Sequence, residues 1–110
     1  LLVEEAKRRR RIFENLPFYL DLILKTVREL DGKAEVYLFG SVAEDRHLLS
    51  SDIDVLVITE RDPGTIMAKL WEKGISDPFE IHVATRDMFE IYKRRSKLLN
   101  VEELLGRMSQ

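Results

Sequence analysis

Gly40-Ser41, ten intervening residues, and then Asp52-Ile53-Asp54 form the stretch whose residue types and spacing are suited to chemistry. The two aspartates stand at i and i+2, so on a strand both carboxylates leave the same face, roughly 6.5–7 Å apart along the chain. Like charges at the head of a buried strand are costly unless a cation lies between them. Carboxylate oxygens are the hard ligands Mg²⁺ prefers, and Mg²⁺ usually shares its shell with substrate phosphates. Gly40 has no Cβ and lets a backbone or phosphate come close. Ser41 adds a hydroxyl and an N–H at a helix start, where anions are favoured. Glu80 lies in a later apolar run. If that run pairs with the aspartate strand, its carboxylate could join them and hold two metal ions about 4 Å apart. Phosphate cradle, paired aspartates and third carboxylate together describe metal-assisted phosphoryl or nucleotidyl transfer.

The elements that must position these groups can be read from periodicity. Residues 34–39 and 52–59 are short β-rich runs; Val55, Leu56, Val57 and Ile58 are consecutive and apolar, as in a strand covered on both faces. Phe79 to Ala84 is a third strand, and Ser41 to Asp45 begins a short helix. Helical spacing predicts helices over 3–14, from Phe18 to Leu30 after the Leu16-Pro17 break, and over 65–73, stopped by Gly74. Asp31-Gly32 ends the second of these, Asp62-Pro63-Gly64 reads as a turn, and Arg46 to Ser51 reads as a polar loop. Thr85 and Asn100 are placed to cap helices over 86–95 and 101–108. The order of elements is that of a small sheet with helices, α/β or α+β.

The totals narrow the class. With 110 residues and 45% hydrophobic content, the chain makes one domain with a real core. Within it, residues 1–31 form a helical N-terminal segment, 34–84 the core of the site and 86–110 C-terminal helices. Charged residues reach 35% but nearly balance, at a net −2, the pattern of surface ion pairs rather than of a nucleic-acid-binding protein. There is no cysteine, which excludes disulfides and thiolate metal sites, and no apolar run approaches a membrane span. The expectation is a soluble, cytoplasmic protein.

The compound motif resembles the GS-x10-DxD signature of the DNA polymerase-beta-like nucleotidyltransferases. Gly-Ser-Val-Ala followed by Ser-Asp-Ile-Asp-Val-Leu-Val is most similar to the minimal nucleotidyltransferases. The resemblance spans about residues 34–84 and implies an α+β fold with a small mixed sheet. It also implies two Mg²⁺ ions held by Asp52, Asp54 and Glu80 as the catalytic carboxylates, and ATP as donor of AMP. Gly40 and Ser41 would bind the phosphates. Family members often continue with Arg-Gly where this chain has Glu44-Asp45, so Arg46, two residues past the usual arginine position, would have to serve. Such proteins often pair with a HEPN-domain toxin, act as its antitoxin, and transfer AMP to one of its tyrosines; that is the implied partner.

Other readings stay open. Glu44-Asp45 would repel a polyphosphate, which motivates a catalytically weak or inactive module that neutralises a partner by contact. Asp52 and Asp54 could be a solvated strand start with a turn-type cap after Ser50-Ser51. His82 shares a strand face with Glu80 and fits a structural, metal-binding or acid–base role; His47 reads as exposed. Trp71, Phe18 and Tyr19 read as core or partner-facing packing. Lys7 to Arg11 could touch nucleic acid or form a solvated helix face.

Overall fold

The computed structural model describes residues 2–48 and 51–109. Helices α1 (Leu2–Glu14) and α2 (Leu16–Leu30) lead into strand β1 (Glu35–Phe39), the one-turn helix α3 (Gly40–Ala43) and strand β2 (Ile53–Ile58). Helix α4 (Pro63–Glu72) connects β2 to β3 (Phe79–Ala84), and α5 (Arg86–Arg95), β4 (Leu99–Asn100) and α6 (Val101–Met108) complete the chain. The sheet order is β3-β2-β1-β4, with β2 and β3 parallel and the other pairs antiparallel. The fold is therefore α+β with a mixed sheet, as the motif implied.

Both faces of β2 are covered. Val55 and Val57 point into the main core with Val36, Leu38, Ile23, Val27, Ile66, Leu70 and Val101, drawn from β1, α2, α4 and α6. Leu56 and Ile58 point the other way, onto Tyr37, Phe89 and Tyr92 beneath α5. All four consecutive apolar residues of β2 are fully buried. Each is worth roughly 1.5–3 kcal/mol relative to exposure, which holds the strand in one register.

Several boundaries differ from the sequence reading. The second strand begins at Ile53, leaving Asp52 just before it. Asp62-Pro63-Gly64 is not a separate turn: Asp62 Oδ2 accepts the Thr65 backbone N–H at 3.0 Å and Pro63 opens α4. Gly74 ends that helix as expected, with φ +87 and its N–H on the Trp71 carbonyl. Asn100 caps α6 through the Glu103 N–H, whereas Thr85 occupies its cap position without a side-chain bond. The two-residue strand β4, pairing Asn100 with Tyr37, carried no sequence signal. Residues 49 and 50, including Ser50 of the proposed cap, lie outside the described residues. Among the described residues no helix is long and apolar enough to cross a membrane.

The basic run on α1 turns out to be neither a wholly solvated face nor an unattached patch. Arg9 donates to the Ser51 carbonyl at 3.2 Å and pairs with the Asp77 carboxylate at 3.2 Å, and Arg8 donates to the Asp77 carbonyl. One guanidinium thus links the segments entering β2 and β3, the two strands that carry the candidate acids.

Candidate functional site

Pairing places Phe39, Asp54 and Glu80 in one row across β1, β2 and β3, and Tyr37, Leu56 and His82 in the next. Alternation along each strand turns these side chains to the α5 face. The second row lies over the small core under α5. In the first row Asp54 is part-exposed and Glu80 exposed, with side chains 25% and 54% accessible.

Asp54, Glu80 and His82 each offer a ligand atom within 4.8 Å of the others. His82 Nε2 stands 3.4 Å from Asp54 Oδ1 and 3.5 Å from Glu80 Oε1. The imidazole is held by Phe39, whose ring meets it edge-on at 5.0 Å, and Phe39 is braced in turn by Tyr92 at 5.8 Å. Two carboxylates this close repel by about 1 kcal/mol in water and about 3 at an intermediate dielectric. Two acids and an imidazole facing one point are a donor set that fits a divalent cation.

Gly40 closes the other side of Asp54. Its φ is +71, and a Cβ built there would lie 2.3 Å from Asp54 Oδ2. Glycine is therefore required twice, by backbone conformation and by the carboxylate beside it. Ser41 follows in the first turn of α3, and its carbonyl accepts the Arg46 N–H at 2.8 Å. Asp45 has φ +57, a left-handed conformation that aspartate tolerates and glycine adopts freely. Glu44 is exposed and takes the exposed Arg46 guanidinium at 3.3 Å.

The sequence-derived residues are therefore placed unevenly. Asp54 and Glu80 are brought together, Gly40 lies against Asp54 with Ser41 next to it in the chain, Asp52 is exposed at the strand mouth outside the three-residue cluster, and Arg46 is paired with Glu44. His82 enters the cluster although sequence alone left its role open. The signal was present in its i+2 spacing from Glu80, but only the parallel register of β3 on β2 shows that both face Asp54. His47 is half-buried rather than exposed: its ring stacks on Phe13 at 5.1 Å. Trp71 and Phe18 are exposed, while Tyr19 packs against Phe79.

A sequence model of a family described as a nucleotidyltransferase domain matches residues 20–106. A crystal structure provisionally named a nucleotidyltransferase superposes with TM-score 0.60 at 29% identity, over 73% of this chain and 94% of that one. A second, from Sulfolobus solfataricus and also provisionally named, shares the fold with TM-score 0.55 at 23% identity, over 89% of this chain and 83% of that one. No curated protein matches the chain significantly.

Proposed function

The chain belongs to the nucleotidyltransferase domain family, and from that membership we propose that it transfers a nucleoside monophosphate, AMP from ATP, to a hydroxyl group with Mg²⁺. The observation that carries the proposal is Asp54, set against Gly40 at the start of α3 and within 4.8 Å of a Glu80 carboxylate oxygen. Gly40 and Ser41 bind the β- and γ-phosphates, with the bare glycine backbone allowing their approach. Asp52 and Asp54, with Glu80, hold the divalent cations, which when bound supply positive charge to the phosphates. Glu80 orients the acceptor hydroxyl and takes its proton. The hydroxyl oxygen bonds to the α-phosphorus, the bond from that phosphorus to the bridging oxygen breaks, and pyrophosphate leaves.

The acceptor is a tyrosine hydroxyl on a partner protein of the HEPN toxin class, and the chain acts as its antitoxin. Incubation with Mg²⁺, labelled ATP and the protein encoded by the neighbouring gene labels that protein. Equal labelling by the double variant Asp52→Asn/Asp54→Asn would overturn the assignment.

One observation favours a second reading, neutralisation by contact alone. Glu44 and Asp45 place two acids beside the phosphate cradle, and Arg46, the nearest replacement cation, is engaged by Glu44. Full suppression of the partner by the double variant, with no label transfer, selects this reading.

A further inference from the structure

His82 Nε2 faces two acceptors at 3.4 and 3.5 Å, longer than the roughly 2.9–3.0 Å of a good N–H···O bond. A histidine serving only to satisfy the core would donate to one acceptor at close range. Both contacts of Nε2 are instead close to the edge of a coordination polyhedron, and the three donor atoms lie within 4.8 Å of one another. With bonds of about 2.1 Å, neighbouring ligand atoms stand roughly 3.0 Å apart in an octahedron and 3.4 Å in a tetrahedron. The ring is held in this aim by the edge contact with Phe39 and by the long hydrogen bond between Nε2 and Asp54 Oδ1.

Asp54 also divides its two oxygens. Oδ1 faces His82, while Oδ2 is the atom pressed on Gly40 and the start of α3. The carboxylate therefore looks into two places. One is beside Gly40, where the proposed function brings the phosphates. The other is a mixed set of two carboxylates and an imidazole. Mg²⁺ prefers oxygen ligands, whereas an imidazole in the set favours first-row transition dications.

We infer that His82, with Asp54 Oδ1 and Glu80, forms an inner cation position that takes a first-row transition dication, Mn²⁺ or Zn²⁺, in preference to Mg²⁺. The inference rests on the proposed function for the use of the site but not for its binding chemistry. The Mg²⁺ that accompanies the nucleotide is left to the aspartates.

The test uses the untagged chain without nucleotide. Mn²⁺ binding is followed by electron paramagnetic resonance, ¹⁴N coupling by electron spin-echo modulation, and Mg²⁺ binding by calorimetry. The chain has two histidines, so the source of a histidine nitrogen signal is resolvable. Wild type and His47→Gln show ¹⁴N coupling and His82→Gln loses it. His82→Gln weakens Mn²⁺ binding about ten-fold or more, on the scale of lost metal-site partners, and changes Mg²⁺ binding less than two-fold. His82→Asp, which makes the position all-oxygen, moves the Mn²⁺/Mg²⁺ preference toward Mg²⁺. Absence of Mn²⁺ binding, bound Mn²⁺ without ¹⁴N coupling, or an unchanged Mn²⁺/Mg²⁺ ratio in His82→Gln overturns the inference. Failure of nucleotidyl transfer with every metal, alongside intact ¹⁴N coupling, overturns the proposed function and leaves this inference standing. Transfer without the coupling does the reverse.

Discussion

Two aspartates sit at the two ends of β2, and the fold treats them in opposite ways. Asp31 lies beyond the C-terminal end, where Oδ2 accepts the buried Thr59 hydroxyl at 2.6 Å and Oδ1 accepts the Lys33 N–H at 3.0 Å. The Thr59 bond, followed by the Lys33 N–H, holds its carboxyl below the usual carboxylate range. Asp54, at the N-terminal end, faces a second carboxylate and an imidazole, and glycine is kept where a side chain would displace it. A carboxylate whose lone pairs are filled by the fold's own donors stabilises the fold. One set against another acid is left with affinity for a cation. The residue type is the same in both places; the neighbouring donors decide its use.

Substitutions at the two ends should separate these roles. Asp54→Asn should cut labelling of the acceptor by about a hundred- to a thousand-fold, the scale of removing a group that stabilises developing charge. In metal-free buffer its unfolding temperature should stay level or rise, because one member of the Asp54–Glu80 repulsion is gone; a fall of several degrees would mean Asp54 is structural after all. Gly40→Ala places a methyl on Asp54 Oδ2 and forces alanine to positive φ. It should weaken divalent-cation binding about ten-fold and cost about 1–2 kcal/mol in denaturant unfolding.

Asp31→Asn should leave labelling intact and cost about 1 kcal/mol, the net worth of its hydrogen bonds. Its pH dependence has a definite sign. The folded pKa is depressed, so the Asp31 contribution is complete above the unfolded value of about 4 and disappears as pH falls through the lower folded value. Thermal melts between pH 6 and pH 2 should therefore fall less steeply for Asp31→Asn than for wild type. The smallest effect is expected at the rim. Glu44→Arg with Asp45→Gly removes two acids and supplies glycine where φ is +57. It should raise Mg-ATP affinity several-fold by calorimetry with little loss of stability. An unchanged affinity would show that Glu44 and Asp45 do not oppose the nucleotide.

The Asp54 side of this contrast was legible in the sequence. Consecutive Val55 to Ile58 marked a strand covered on both faces, and Gly40-Ser41 with Asp52-Ile53-Asp54 marked the mouth where chemistry would gather. Less could be read where one residue's meaning depends on a distant partner. Asp31 was read as a helix stop, and nothing local told of Thr59, 28 residues on. The arginine run on α1 carried no sign that Arg9 would reach Ser51 and Asp77. Two residues of β4 are too few for a periodic pattern and exist because β1 offers them an edge.

The sequence by itself determined which residue types the molecule has to work with and which run is its buried strand, because hydrophobic runs, glycine and closely spaced acids act over a few residues. Tertiary structure alone decided that Glu80 and His82, rather than Asp52, close around Asp54. That choice depends on strand order and register, which are set by packing across the sheet and not by any local spacing.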